Sequence, residues 1–520
     1  MLLQFALACG PGGTSVQDTT PPPNVEPTDA PTPTSPPTST PGGGTTGLPV
    51  VGLTSLSAEG VVLAPAFDLL LYRYNSAIVN GRVHLEAIPT PAEAVVSISH
   101  ATLDGDVMGT GPDVDLLLTP LVVVDVTLGE QSAQYQLLAV PPDFPQLGTL
   151  AASGGEEVVY FGLQGPAATP YPFAADSHGT FVWYHPVVEA VWDVRLGPAG
   201  RRTWIEEHLV EPYSGVVLDP ATGDILTPWF SSMTSDGRGT SLDVHELIDF
   251  GDHAILIATW AEVADLRDFG GDIGSKVRHF EVQEVGSDGS IAFRWSTESI
   301  FVPEEIGLWV EDEGSGELDY AHLNGVDVDP YDGNWVISLR LFDQVIKVAR
   351  NDGTLNGVAY QAGDVLWRVG GPDATLDFVD DDRDSGWIGF AGQHSPRMVA
   401  PDRLLLFDNA FGREAVGDLS NQDISFFATG GTRAVEYALD LVAGTATPVW
   451  SHDLEDGVFT LAGGSVQRLA DGSTAIGWGT RYLESGGPAM TRVADDGTVL
   501  SGLTLPKDVW SYRAWVSVAE

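Results

Sequence analysis

Short apolar runs recur along nearly the whole chain, most of them four to eight residues long and rich in Val, Ile, Leu, Phe, Tyr and Trp. Asp-Gly, Gly-Asp and Pro-Asp turns separate them, and no extended stretch carries the three-to-four spacing of an amphipathic helix. The pattern predicts an all-β protein. Its clearest unit is DYAHLNGVDVDPYDGNWVISLR (319–340), in which strands at 326–328 and 335–339 flank a Pro/Asp/Gly turn. Folding that hairpin brings its two ends together. His322 and Asn324 therefore meet Arg340 at one sheet rim, and together they offer fixed N–H donors to an oxyanion.

The pattern divides the chain into four stretches. Residues 1–9, MLLQFALAC, form a short apolar run ending at Cys9, the single cysteine. Residues 10–47 are a Pro/Thr/Ser/Gly tract that cannot build a core and reads as a semi-extended spacer. Together they resemble the end of a bacterial lipoprotein signal followed by a tether, with Cys9 as the lipidated residue. The expectation is an exported protein, anchored to a membrane through Cys9 in the periplasm or at the cell surface. In residues 48–143 the runs VVLAPAF, LLLYRY, AVVSIS, VDLLLTPL, VVVDVTL and AQYQLLAV predict a small β-sandwich. His84 and His100 stand alone there and carry no motif.

From 144 to 520 two half-units alternate. One is typified by HELIDFGDHAILIATW, HLNGVDVDPYDGNWVISLR, HSPRMVAPDRLLLFDN and SVQRLADGSTAIGWG. The other is Trp-rich, as in FEVQEVGSDGSIAFRWS and AVEYALDLVAGTATPVWSHD. Four strands per repeat of several dozen residues predict a β-propeller of about six blades. SYRAWVS (511–517) is then expected to pair with an early strand and remove the open edge.

Composition narrows the function. The formal net charge of −48, from 72 acidic and 24 basic side chains, argues against a nucleic-acid partner, whose phosphates need a basic stripe. An anionic substrate would need a local positive site, which screening over roughly 8–10 Å permits. Candidates for that site are His245, His322 and His394, each opening a first half-unit, with Ser465 at the matching place in a fourth. Inner strands of a propeller face one another, so these positions converge at one mouth of the channel, with Arg340 at the same end. Three readings remain: an anion site, a zinc site, since three histidines can bind zinc, or a structural repeat feature. Arg340 favours the anion, because a guanidinium repels a metal cation. The acidic stretch DFVDDDRDSG (377–386) lacks the spacing of a standard calcium loop and reads as a solvated lid. Trp183, Trp260 and Trp367 could stack on an aromatic substrate, but most tryptophans of a propeller are expected in its core.

Four of these stretches resemble the bacterial arylsulfate sulfotransferase family: AHLNGVDVDPYDGNWVISLR, WRVGGP (367–372), GQHSPRM with LLLFDN (392–409) and TRAVEYALD (432–440). The resemblance implies a six-bladed β-propeller after a small β-sandwich. It implies transfer of a sulfuryl group from a phenolic sulfate ester to an acceptor phenol, with no nucleotide sulfate donor, no cofactor and no metal. His394 matches the family's nucleophile. His245, His322 and Arg340 match its sulfate-holding residues, and Asn324 an accompanying polar residue. Gly325 and Ser395 depart from the family pattern, and one cysteine cannot form the family's disulfide. The competing expectation is a cell-surface propeller that binds a ligand or protein without catalysis and has no need of His394.

Overall fold

The computed structural model describes residues 51–518 apart from 69–70, 79–80, 104–105, 152–156, 166–168, 188, 208–212, 220–223, 227–228, 313–315, 384, 418, 421, 455–459 and 481–486. Cys9 and the spacer lie outside the described residues. These residues form β-strands, turns and short 3-10 turns, and none of them is in an α-helix.

Residues 52–140 make two sheets. One orders Gly52–Ala58, Arg82–Thr90 and Asp113–Asp115. The other orders Arg73–Ala77, Gln131–Val140, Leu121–Leu128, Val95–Ala101 and Val107–Thr110. Leu53, Leu85, Val114, Val124, Tyr135 and Leu137 share one buried core, and the Tyr135 hydroxyl accepts the Leu53 N–H at 2.9 Å across it. Two expected strands differ. VVLAPAF (61–67) pairs with the sheet through an isolated bridge from Ala64 to Asn75 and forms no continuous strand, since Pro65 has no N–H for a ladder. LLLTP (116–120) turns instead, because Asp115 captures the Leu117 N–H (3.1 Å) and the Thr119 hydroxyl (2.9 Å).

The rest of the chain builds six larger sheets among the described residues. Their first strands are Val191–Leu196, Ser241–Asp249, Leu323–Val328, His394–Ala400, Ser465–Arg468 and, in the sheet of Glu157–Leu163, the C-terminal Ala514–Val518. Each of these strands neighbours the next, and Ala514–Val518 neighbours both Ser465–Arg468 and Val191–Leu196. Ala514–Val518 pairs antiparallel with residues 157–161, as expected, and Gly148–Ala151 pairs with the strand Val499–Leu505. Apolar cores fill the spaces between neighbouring sheets. Trp335, buried with Phe293 edge-on at 4.7 Å, belongs to the core shared by the sheets that begin with Ser241–Asp249 and Leu323–Val328. Burying such a side chain contributes about 2–3 kcal/mol. Strands covered on both faces read as continuous apolar runs, which explains AILIATW.

Trp183, Trp260 and Trp367 belong to this packing and are not a substrate platform. Trp183 sits beside Trp204 under the Arg202 guanidinium, Trp260 stacks on His279 at 4.4 Å, and Trp367 lies in an inter-sheet core. The acidic stretch 377–386 is largely exposed, as expected of a solvated segment, but it is anchored at Asp381 and Arg383. Asp381 accepts from Arg433 (2.9 Å) and the Tyr437 hydroxyl (2.5 Å), and Arg383 pairs with Asp408 at 3.1 Å. Buried guanidinium groups hold it down.

Candidate functional site

The 319–340 hairpin forms in the expected register, Val326 opposite Ile337 and Leu323 opposite Leu339. The Arg340 N–H donates to the His322 carbonyl at 3.0 Å, which brings the two ends together. His322 adopts φ +48°, unusual for a residue with a Cβ. Asp319 holds it there, accepting the backbone N–H of Ala321 (3.1 Å) and His322 (2.8 Å) on one oxygen and meeting His322 Nδ1 at 2.7 Å on the other. Burial opposes ionisation of Asp319, yet His322 beside it holds the carboxyl below its ordinary value. His245 has the same arrangement, with its Nδ1 against Asp243. The two rings meet edge to face, 4.9 Å between centroids.

Arg340 opens the 3-10 turn Arg340–Phe342 and is 2% exposed. One arm donates to the Leu461 carbonyl at 2.9 Å. Arg413 donates to the Arg340 carbonyl and pairs with Asp343 (2.9 Å), which also accepts the Gly392 N–H at 2.6 Å. The turn carrying Arg340 is thereby tied to the segment leading into His394.

His394 is fully buried at the head of its strand. Its Nδ1 faces Asn409 Oδ1 (2.7 Å) and the Gly392 carbonyl (3.1 Å), and the Gly463 N–H points at Nε2 from 3.2 Å. Burial, then the charges of Arg340, His245 and Arg513, push this imidazole well below the ordinary histidine value. The Tyr512 ring links the histidines, 6.1 Å from His394 and 5.9 Å from His245. His245, His322, Arg340 and His394 thus gather from three separate sheets.

Asn324 is fully buried and donates to the Gln393 carbonyl at 2.8 Å, while its Oδ1 has no hydrogen-bond partner among the described residues. Ser465 serves elsewhere. Its hydroxyl donates to the Ala514 carbonyl (2.7 Å) and accepts the Ala514 N–H (3.1 Å), stitching the C-terminal strand in place. Gly325 permits a close approach, because a Cβ there would come 3.0 Å from Pro396 and 3.3 Å from the Ser395 nitrogen.

Several participants were not singled out from the sequence. Asn409 ends the LLLFDN run, Gly463 lies in a Gly-Gly pair, and Tyr512 and Arg513 precede the last strand. Gly463 has φ +71°, and a Cβ there would lie 2.5 Å from the Tyr512 carbonyl, so only glycine brings its N–H to His394. Beneath the histidines, Arg513 pairs with Asp193 (3.2 Å) and Glu246 (2.9 Å), and its other arm donates to the Asn324 carbonyl at 2.9 Å. Glu246 also meets Arg195 and Arg397. Burial would raise the Glu246 carboxyl, but three guanidinium groups hold it below its ordinary value. Among the described residues no three His, Cys, Asp or Glu side chains group as a metal site.

The family model described as Arylsulfotransferase (ASST) matches residues 149–496. No curated protein matches the chain. Solved structures similar to it include a protein of unknown function from Bacteroides caccae (12% identity, 70% of this chain and 100% of that one, TM-score 0.36). Others are a putative 6-phosphogluconolactonase from Bacteroides uniformis (11%, 70% and 100%, TM-score 0.34) and a periplasmic gluconolactonase from Pseudomonas aeruginosa (10%, 82% and 99%, TM-score 0.31).

Proposed function

The chain belongs to the arylsulfotransferase family, and we propose that it moves a sulfuryl group from a phenolic sulfate ester to an acceptor phenol through a sulfated His394. The six large sheets are read as the blades of a six-bladed propeller behind a small sandwich. The neighbouring series of inner strands and the pairing of residues 514–518 with 157–161 support that reading.

The observation that carries the mechanism is the pairing of a neutral, buried imidazole with a buried guanidinium across one loop. Gly463 faces His394 Nε2, and Leu461, two residues earlier, takes an arm of Arg340. In the first half-reaction the Nε2 lone pair forms the N–S bond. The S–O(aryl) bond breaks, and the phenolate leaves with its electron pair and takes a proton from a histidine. Phenolate leaves readily because a phenol ionises near pH 10. Charge builds on the three equatorial sulfuryl oxygens, where the Arg340 guanidinium supplies donors, and Nε2 gives up the Gly463 N–H as the N–S bond forms. In the second half-reaction the acceptor phenol gives its proton to a histidine and its oxygen bonds sulfur. The N–S pair then returns to Nε2. His245 and His322, each on a carboxylate, are suited to the proton steps.

Two measurements test this. Initial rates with donor ester and acceptor phenol both varied should give parallel double-reciprocal lines, whereas intersecting lines indicate direct transfer. Arg340→Lys should lower kcat with an aryl sulfate at least about tenfold, since an ammonium cannot reproduce the planar fork. Wild-type turnover in that variant removes Arg340 from the sulfate site.

A further inference from the structure

Three histidines meet at this site, and their Nδ1 partners differ. His245 has Asp243 and His322 has Asp319, but His394 has the amide of Asn409. We infer that Asn409 is a positioning residue that holds His394 in the neutral Nδ1–H tautomer, with the Nε2 lone pair directed at sulfur. The inference rests on the sulfotransferase reading and adds to it the residue that sets the nucleophile's protonation.

The argument is one of hydrogen-bond polarity. Asn409 Nδ2 lies 3.0 Å from the Thr460 carbonyl and 3.1 Å from the Gly463 carbonyl. Both can only accept, so the NH2 group faces them and Oδ1 faces His394. The imidazole nitrogen opposite Oδ1 must therefore carry the hydrogen. The Gly392 carbonyl, 3.1 Å from the same nitrogen, demands it independently. On the other side the Gly463 N–H is a donor, which requires a lone pair at Nε2. All three partners of the ring select one tautomer of the uncharged imidazole.

The choice of amide over carboxylate follows from the chemistry. A carboxylate stabilises the imidazolium, in which neither nitrogen has a lone pair, and the nucleophile is lost. An amide orients the ring with a weaker pull of the same sign, which burial and the neighbouring cations outweigh. A carboxylate at 409 would also leave the Thr460 and Gly463 carbonyls without their donor. The amide's own position is fixed. Asp408 accepts the N–H of Ala391 (3.0 Å) and Ala410 (2.9 Å), and the Thr432 hydroxyl donates to the Asn409 carbonyl at 2.9 Å. The charged groups facing His394 reinforce neutrality, because Arg340, His245 and Arg513 bear or acquire positive charge, while the Tyr512 ring lies nearly perpendicular to it at 6.1 Å.

The direct test is nitrogen-15 NMR of the histidine rings in the full chain, with His394→Asn used to assign the signal. The His394 ring should show a protonated Nδ1 and a bare Nε2 at pH 7, and should keep them below about pH 6.5, where an ordinary histidine is half charged. A proton on Nε2, or an imidazolium at pH 7, overturns the inference without any activity being measured. Asn409→Asp supplies a second reading. The acid limb of kcat/KM should move up by about one pH unit or more, with donor KM within about threefold of wild type. A purely structural role would leave that limb in place, and an unmoved limb in a folded variant also overturns the inference. Wild-type protein that turns over no aryl sulfate counts against the sulfotransferase reading, whereas a wrong tautomer counts against the role of Asn409, so the two failures are distinguishable.

Discussion

His394→Asn is expected to abolish sulfuryl transfer while leaving a folded protein. An asparagine has no basic ring nitrogen to form the N–S bond, so the covalent route closes altogether. Removal of a covalent nucleophile elsewhere lowers kcat by factors of about 10⁴–10⁶, and a loss of at least about 10⁴ is expected here. His394 sits at the head of its strand, opposite Phe407, and an asparagine amide can still donate to Asn409. Leaving that acceptor unpaired would cost about 1–3 kcal/mol, which sets the upper end of the expected destabilisation. Three readouts separate the outcomes. Turnover of a chromogenic aryl sulfate should vanish. Incubation with donor alone should sulfate a peptide containing His394 in the wild type and not in the variant, provided digestion avoids acid. The melting curve should stay cooperative. An active His394→Asn protein would show that another group attacks sulfur.

The second large effect concerns stability. Arg513 is buried among Asp193, Glu246 and the carbonyl of Asn324, contributed by three different sheets. Arg513→Met keeps most of the volume but removes the charge and three donor contacts. Glu246 retains Arg195 and Arg397, and Asp193 retains Arg195, so neither carboxylate is wholly abandoned. Breaking a buried pair on one side still costs about 3–5 kcal/mol. The denaturant midpoint should fall accordingly, and combining the change with Glu246→Gln should cost less than the sum of the two single changes. Losing the Arg513 charge also relaxes the depression of His394, because one fewer cation opposes an imidazolium. The acid limb of the rate profile should therefore shift upward. An unchanged midpoint would remove the cluster from any part in holding the inner strands together.

The chain's own order made some of this legible. The 319–340 hairpin could be read because its determinants are local: β-branched residues on both sides of a turn whose Gly333 takes φ +74°. That reading already brought His322 to Arg340. The pairing of residues 514–518 with residue 157 onward followed from the need to cover an open edge. The strand expected at VVLAPAF was judged by side-chain type alone, although Pro65 within it has no N–H for a ladder. The anchoring of the acidic stretch was set by partners distant in sequence. Asp381 looked solvated until Arg433 and Tyr437 reached it.

By itself, then, the sequence determined the all-β class, the alternating half-units and the family, and it singled out His394, His322, His245 and Arg340 as candidates. Hydrophobic period, turn chemistry and net charge are additive along a chain and need no coordinates. The tertiary structure alone decided which partners the atoms of those residues meet. The Nδ1–H tautomer of His394 depends on Asn409, Gly392 and Gly463, and its neutrality on burial beside Arg340, His245 and Arg513. Hydrogen-bond polarity and desolvation act over a few ångströms between groups up to about a hundred residues or more apart, and folding is what sets those distances.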